Sequence, residues 1–210
     1  MKLYFVRHGR TEWNEEGRFQ GSTGDSPLTP QALEQIKQLG QELRNIPFDA
    51  IYSSDLPRAL RTAEIIENEL PMNLEIHSIP AMREWNLGKL EGQKIDLIKS
   101  IYPQQIDAFR HNLARFHSQM FEAESLYATT NRIMDFIKSL ADTNYENVLI
   151  IGHGANMSAA LRTLLGYEPA QLRLVKGLAN GSITILETND FDHFDLIKWN
   201  DLTYLEDQEN

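Results

Sequence analysis

The stretches LYFVRHG at residues 3–9 and VLIIGHG at residues 148–154 decide the fold of this 210-residue chain. Each begins with an uninterrupted apolar run, which is typical of a strand buried on both faces of a sheet. Each ends with a histidine followed by a glycine, His8-Gly9 and His153-Gly154. Because ligands bind beyond the carboxyl ends of strands in open α/β sheets, we expect both histidines at one ligand-binding edge.

Predicted helices and strands alternate along the rest of the chain. Sequence spacing predicts helices at 29–44, from Pro57 onward and at 155–165, and further strands at 49–52, 74–79, 181–186 and 195–199. Residues 95–140 are expected to be mostly helical, with breaks near Pro103 and at 122–125. Residues 9–28 are predicted to be a loop, and residues 53–55 (SSD) are expected to cap the helix that follows them.

This alternation predicts an α/β fold. The expected architecture is a three-layer sandwich with a mainly parallel central sheet, helices on both faces and a helical cap over the site. The last two strands are expected to make the sheet mixed. No internal repeat or low-complexity linker divides the sequence, so residues 1–210 are interpreted as a single domain, with residues 94–130 as a helical cap insertion.

The composition excludes several partners and chemistries. A net charge of -10 repels nucleic acid and anionic membranes, so neither is expected as a partner. The chain has no cysteine, which excludes disulfides and thiolate chemistry. The apolar runs are too short for a signal peptide or a membrane span, so we expect a cytoplasmic protein, as a monomer or homodimer.

An acidic chain can bind an anion only where basic residues gather. Arg7 precedes His8, and Arg58 lies in the first turn of the helix after the second strand. The planar guanidinium fork matches the oxygens of a phosphoryl group. Gly154 allows close approach of the backbone and opens a helix whose free N–H groups suit an anion. These residues indicate a phosphate site, whereas Arg61, three residues beyond Arg58, is expected at the surface.

Five segments carry a family resemblance. They are LYFVRHGRTEWN, GRFQGSTGDSPLTPQA, IYSSDLPRALRTAEII, MREWNLGKLEG and VLIIGHG, and they follow one another from Lys2 to Gly154. In this order they resemble the motifs of the histidine phosphatase superfamily, in its phosphoglycerate-mutase-like branch and of the broad-specificity phosphatase type. The resemblance implies a phosphoric monoester hydrolase that acts on a small-molecule phosphate monoester without a metal or other cofactor.

The resemblance also implies roles for individual residues. His8 is the nucleophile that becomes phosphohistidine, and Glu84 is the general acid and base. The other residues implied in the site contact the phosphoryl group or line the entrance of its pocket. They are Arg7, Asn14, Gln20, Gly21, Arg58, His153 and Gly154. Arg7, Arg58 and His153 supply the positive charge and donors that phosphoryl transfer needs around the equatorial oxygens.

Some positions depart from the family pattern. Arg10 stands where a carboxylate or an amide is more common, and it either raises the positive potential at the mouth of the site or is a solvated loop residue. Leu90 replaces a common aromatic residue away from the chemistry, and Ala123 replaces the usual glycine before Glu124 and Ser125. The aromatic-rich segment 109–127 suggests a cap that packs on an apolar leaving group, although packing of a helix face onto the domain is favoured for any one of its residues. Its two histidines, His111 and His117, lack a metal-ligand spacing.

Three other functions remain open at this stage. A phosphoglycerate mutase would use the same His8 chemistry but return the phosphoryl group to a second hydroxyl. The residues after Glu84, WNLGKLEG, lack the arginine-histidine-tyrosine cluster of the cofactor-dependent mutases, which favours a phosphatase. A non-catalytic module that binds phosphorylated ligands is disfavoured because His8 and Glu84 are both present. A metallohydrolase is the remaining alternative.

Overall fold

The computed structural model describes residues 1–175 and 177–205. Within these ranges the strands are β1 Lys2–Arg7, β2 Ala50–Ser53, β3 Ile76–Ser78, β4 Asn147–Gly152, β5 Ile183–Glu187 and β6 Asp195–Asp201. The α-helices are α1 Glu12–Glu15, α2 Pro30–Leu43, α3 Pro57–Glu67, α4 Ile95–Ile101, α5 Pro103–His111, α6 Leu126–Ser139 and α7 Gly154–Leu164. The predicted α/β class is confirmed.

The six strands form one mixed sheet in the order β3-β2-β4-β1-β5-β6. The pairs β1–β4, β2–β4 and β2–β3 are parallel, whereas β5 pairs antiparallel with both β1 and β6. The prediction of a mainly parallel sheet made mixed by its last two strands is therefore confirmed. Arg7 lies opposite Gly152 in the β1–β4 ladder, so the residues that follow these strands meet at one edge.

Helices cover both faces of the sheet, as predicted. Because side chains alternate along a strand, Tyr4 and Val6 of β1 pack with α2 and α3, whereas Leu3 and Phe5 pack with α6 and α7. These four side chains are almost completely buried. The central strands are thus apolar on both faces, which is why their sequences are continuous apolar runs rather than alternating ones.

Most predicted element boundaries agree with the structure to within two residues. Helix α2 begins as predicted, with the Thr29 hydroxyl accepting a hydrogen bond from Ala32 N at 3.2 Å and Pro30 in its first turn. The expected cap of α3 from residues 53–55 is wrong, because the N-cap is Leu56 and has no side-chain hydrogen bond. The predicted loop 9–28 contains the short helix α1, which begins with a capping box on Thr11.

A third apolar cluster is formed by side chains of α4, α5 and α7 together with loop residues. It includes the rings of Trp85, Phe109, Phe116 and Phe121, whose centroids lie 5.0 to 6.2 Å apart in edge, tilted or stacked contacts. The division of the chain into one domain with a cap insertion at 94–130 stays a prediction. None of the helices in the described ranges has the length and apolar character that a membrane crossing requires.

Candidate active site

His8 lies immediately beyond β1, and its backbone is fixed on both sides. Its N–H donates to Gly152 O at 2.9 Å, and the next amide, Gly9 N, donates to the Thr62 hydroxyl at 3.0 Å. The ring Nδ1 lies 2.7 Å from Gly9 O. A carbonyl only accepts, so Nδ1 carries the proton and Nε2 carries the lone pair. Burial lowers the pKa of His8 well below its usual value, as do the positive charges of Arg58 and Arg7, and the bond to Gly9 only partly opposes this.

His153 occupies the equivalent place beyond β4. Its ring centroid lies 5.2 Å from that of His8, and its Nε2 lies 2.7 Å from the Ser54 hydroxyl. Its Nδ1 is buried and has no hydrogen-bond partner among the described residues. Burial lowers the pKa of His153 well below its usual value, and the charge of Arg58 lowers it further. Both rings are therefore neutral near pH 7 in the folded protein.

The two predicted arginines approach the histidines from different elements. Arg7 donates from Nη1 to Leu178 O at 2.6 Å. Arg58 is 2% exposed and donates to Gly21 O at 2.8 Å and Gly24 O at 2.7 Å. In each guanidinium the Nε atom is buried and has no partner in the described part of the chain. The side chains are thus anchored by their outer nitrogens, and their Nε–H groups remain as buried donors.

Gly154 and Gly21 are needed for close approach. A Cβ at residue 154 would stand 2.8 Å from Arg7 Cζ, so any larger residue would displace the guanidinium. Gly21 has a φ of +66°, and a Cβ there would overlap the Glu91 carboxylate. That carboxylate accepts hydrogen bonds from the amides of Ser22 and Gly24, at 2.9 and 3.0 Å. The loop that presents carbonyls to Arg58 is therefore organised by Glu91, which lies far away in the sequence.

The predicted polar contacts of the entrance loop are supported by Thr11. The Asn14 amide oxygen accepts from Thr11 N at 3.2 Å and from Asn180 Nδ2 at 3.1 Å. The Gln20 Nε2 donates to the Thr11 hydroxyl at 2.5 Å, and Gln20 Oε1 accepts from Ser26 at 3.3 Å. Both side chains are positioned by neighbours within the protein and line the same cavity as His8.

Glu84 lies at the amino end of α7. Its Oε2 accepts from Ala155 N at 2.9 Å, and its Oε1 accepts from Asn156 N at 2.8 Å and Trp85 N at 2.7 Å. The free N–H groups at the amino end of the helix thus fix the orientation of the Glu84 carboxyl group. These bonds position Glu84 on the same cavity wall as Gly154.

A cavity of about 550 Å³ brings most of the predicted site together. All predicted site residues line it except His153, which is fully buried and whose Nε2 contacts the Ser54 hydroxyl. The cavity-lining members of the predicted site are Arg7, His8, Asn14, Gln20, Gly21, Arg58, Glu84 and Gly154. The chemical roles of these residues stay predictions.

Sequence reasoning missed several polar residues of the site, among them Arg173 and Asn180. Arg173 lines the cavity and donates from Nη2 to Ala155 O at 3.2 Å. Asn180 donates to His8 O at 3.1 Å as well as to Asn14. Both belong to residues 165–181, a segment with no regular periodicity and no motif of the family resemblance. Only the tertiary structure brings this segment to the edge of the sheet.

The open questions about single positions are answered by their surroundings. Arg10 is exposed, lies 3.6 Å from the Glu15 carboxylate and does not line the cavity, so it is the solvated loop residue. Arg61 is exposed and paired with Glu64, as expected. In the segment 109–127, Phe109, Arg110 and His111 line the cavity, while Phe116 and Phe121 pack in the apolar cluster. Packing, the role favoured for any single aromatic residue of this segment, therefore holds for Phe116 and Phe121, whereas the Phe109 ring also lines the cavity.

The chain matches a known protein family over most of its length. The family model of the histidine phosphatase superfamily (branch 1) matches residues 3–202. The chain belongs to that superfamily, and the predicted family is confirmed. It is thus an enzyme of the phosphatase or mutase type.

Individual relatives carry names of both types. The chain is 33% identical over 180 residues to the probable phosphoglycerate mutase GpmB of Proteus mirabilis, which covers 83% of this chain and 80% of the relative. Among solved structures, Bacillus stearothermophilus YhfR superposes with a TM-score of 0.89, 29% identity and coverage of 97% and 98% of the two chains. A mycobacterial glucosyl-3-phosphoglycerate phosphatase gives a TM-score of 0.84 at 25% identity, with coverage of 95% and 98%.

Proposed function

We propose that this protein hydrolyses phosphate monoesters through a phosphohistidine on His8. The observation that carries the proposal is a set of buried nitrogens around His8. Arg7 Nε, Arg58 Nε and His153 Nδ1 are each buried without a partner among the described residues. Buried polar groups in folded proteins normally have partners, and a phosphoryl group would provide acceptors for all three.

The first step transfers the phosphoryl group to the enzyme. The lone pair on His8 Nε2 forms a bond to phosphorus while the bond from phosphorus to the ester oxygen breaks. The leaving oxygen takes a proton from the Glu84 carboxyl group and departs as an alcohol. Because the Nδ1 proton of His8 is bonded to Gly9 O, the imidazole is oriented for attack and its positive charge is stabilised in the intermediate.

The second step returns the enzyme to its starting state. The Glu84 carboxylate removes a proton from water, and the water oxygen forms a bond to phosphorus as the bond to His8 Nε2 breaks. Inorganic phosphate leaves, and Glu84 is protonated for the next cycle. In both steps the guanidinium groups of Arg7 and Arg58 stabilise the charge on the equatorial oxygens, and their anchored side chains need little reorganisation.

Hydrolysis is favoured over mutase activity by the surroundings of residues 85–92. Of this segment only Leu87 lines the cavity. Trp85 is fully buried and donates to Glu124 O at 2.7 Å, and Glu91 is committed to the entrance loop. The segment after Glu84 therefore supplies no polar group to retain a phosphorylated intermediate product. Mutase activity is the second candidate because GpmB of Proteus mirabilis, the sequence relative named above, is a probable phosphoglycerate mutase.

The test combines trapping with product analysis. We expect acid-labile phosphate on His8 after rapid mixing with 4-nitrophenyl phosphate, located by mass spectrometry of peptides prepared under basic conditions. Equal phosphate release by wild type and His8→Asn would contradict the mechanism. In a second assay, 3-phosphoglycerate is supplied with catalytic 2,3-bisphosphoglycerate. Rapid formation of 2-phosphoglycerate would show mutase activity and contradict the proposal that the protein is a hydrolase.

A further inference from the structure

The cavity carries more positive charge than the proposed reaction uses. Five arginines line it, and Glu84 is the only acidic residue among its described lining residues. The arginines are Arg7, Arg18, Arg58, Arg110 and Arg173. The whole chain has a net charge of -10, so this concentration runs against the general balance of charge. Such a local reversal concentrates anionic ligands at the site.

The arginines differ in whether a carboxylate neutralises them. Arg18 pairs with Glu16, and Arg58 pairs with Asp25 at 2.8 Å. Within residues 1–175 and 177–205, Arg7, Arg110 and Arg173 have no carboxylate within salt-bridge distance. Arg7 is used by the transferred phosphoryl group in the proposed reaction. Two guanidinium groups in the cavity wall, those of Arg110 and Arg173, therefore have no anionic partner in the described part of the chain.

Arg173 lies on the side of the cavity from which the leaving group departs. Ala155 links it to the proposed acid, since Ala155 N donates to Glu84 Oε2 at 2.9 Å and Ala155 O accepts from Arg173 at 3.2 Å. The Arg173 guanidinium also lies 5.5 Å from the centre of the Phe109 ring. Its Nε is buried without a partner in the described part of the chain. These contacts fix the side chain while leaving it a buried donor.

Arg173 keeps its charge despite partial burial. Burial lowers its pKa to about 10 and the charges of Arg162 and Arg7 act in the same direction, whereas Glu84 opposes the change. The group is therefore protonated at neutral pH. A charged guanidinium in a partly dry wall interacts with an anion more strongly than one in open water.

Arg110 and the neighbouring apolar groups define the rest of this wall. Arg110 is the next residue after Phe109 on α5 and is exposed, at the mouth of the cavity. Phe19, Leu87, Ile95 and Phe109 provide apolar lining. An organic leaving group could pack against these side chains and present a negative group to the arginines.

On the basis of the proposed function, we infer that Arg173, assisted by Arg110, binds a second anionic group on the alcohol part of the substrate. The substrate class is then a phosphate monoester whose alcohol carries a carboxylate or a further phosphate. The inference depends on the proposed reaction at His8 in one respect, because that reaction identifies the alcohol as the part of the substrate that leaves. Recognition of the second anion depends on Arg173 and its surroundings alone.

The test uses substrates that differ in one charge. Rates are measured for 4-carboxyphenyl phosphate and its neutral counterpart 4-carbamoylphenyl phosphate, with 4-phosphonophenyl phosphate to separate a carboxylate from a phosphate-like group. We expect the wild type to favour an anionic compound by about tenfold or more in kcat/KM. In Arg173→Gln the ratio of kcat/KM for the charged compound to that for the neutral compound should fall to about the ratio of their uncatalysed hydrolysis rates. In Arg110→Gln this ratio should fall by a smaller factor.

Arg115→Gln is the matched control, because Arg115 is an exposed arginine near the end of α5 that does not line the cavity. Its charge preference should equal that of the wild type. A purely structural role of Arg173 would lower both rates equally and leave their ratio unchanged, which would overturn the inference. Equal wild-type rates for the charged and neutral substrates would also overturn it while leaving the proposed hydrolysis intact.

A binding experiment separates the inference from the proposed function. If the wild type hydrolyses none of these compounds, the hydrolase proposal fails and calorimetry decides the inference. The probes are 4-carboxybenzylphosphonate and 4-carbamoylbenzylphosphonate, which lack a scissile ester bond. Tighter binding of the carboxylate by wild type, lost in Arg173→Gln, would support the second anion site, and equal binding of both compounds would refute it.

Discussion

The strand-end wall of the cavity and the wall formed by α5 with residues 173–175 and 177–178 are built in different ways. The strand-end wall consists of polar side chains that the backbone positions, as His8 is positioned by Gly9 O and Arg58 by the carbonyls of Gly21 and Gly24. The opposite wall combines apolar side chains such as Phe109 with Arg110 and Arg173. The first wall suits one fixed phosphoryl group, and the second suits a leaving group defined by shape and charge.

The largest expected effect belongs to the strand-end wall. His8→Asn should lower kcat/KM for all phosphate monoesters by about 10⁴ or more, because no covalent intermediate can form. The loss should be uniform across substrates with different alcohols. Steady-state phosphate release over a panel of esters measures this. A loss that varies strongly with the alcohol would contradict the claim that the strand-end wall acts on the phosphoryl group alone.

Glu84→Gln tests the boundary between the walls. It should lower kcat for alkyl phosphates by about 10²–10⁴, since the alkoxide then leaves without a proton donor. The loss should be much smaller for 4-nitrophenyl phosphate, whose leaving group needs little protonation. The comparison is a plot of the rate against the pKa of the leaving alcohol. An equal loss for good and poor leaving groups would argue against Glu84 as the acid.

Gly154→Ala probes how precisely Arg7 must be placed. The new Cβ would stand 2.8 Å from Arg7 Cζ, and the flexible side chain would move. We expect kcat/KM to fall by about tenfold or more while the fold persists, because a displaced guanidinium loses its contact with the phosphoryl oxygens. Kinetics and thermal unfolding measured together check this. A loss of stability with unchanged activity per folded molecule would contradict it.

Phe109→Leu should act only on the opposite wall. The ring lines the cavity and lies 5.0 Å from the Phe116 ring, so its loss should raise KM for aromatic esters by a few fold with little change in kcat. Phe121→Leu is the control, because Phe121 belongs to the same cluster but does not line the cavity. Equal KM values for both variants would show that the effect is general loosening of the cluster.

The smallest expected effect is on how the free energy of unfolding changes with pH. The pKa values of His8 and His153 are well below 6.5 in the folded protein, so below about pH 6.5 the unfolded chain binds protons that the folded chain does not. The stability that these neutral rings contribute is complete above that pH and is lost as the pH falls. The free energy of unfolding should change by at most about 1.4 kcal/mol per pH unit for each histidine. Urea unfolding at several pH values should show a shallower slope for His8→Asn.

His193 provides a control of opposite sign. It is exposed, and its pKa is raised by the hydrogen bond and charge of Asp190. Its contribution to stability is therefore present below the unfolded pKa and lost as the pH rises. His193→Asn should not flatten the acidic slope. A flattening equal to that of His8→Asn would refute the assignment of the slope to the buried strand-end wall.

The strand-end wall was largely predictable because its residues follow strands whose pattern is unambiguous. His8 and His153 each come directly after a continuous apolar run, and parallel strands put their carboxyl ends at the same edge. Glu84 was reached only through the family resemblance, since no strand or helix pattern marks it. The part played by Glu91 could not be predicted, because it depends on contacts with residues about seventy positions earlier in the chain.

The sequence by itself determined the α/β class, the family, and the gathering of His8, Arg7, Arg58 and His153 at one edge. Periodicity and motif order are local properties, and they suffice for these conclusions. Only the tertiary structure decided that Arg173 faces the cavity and that Arg10 does not. These outcomes depend on how an irregular segment packs against distant elements, and no spacing in the sequence encodes that packing.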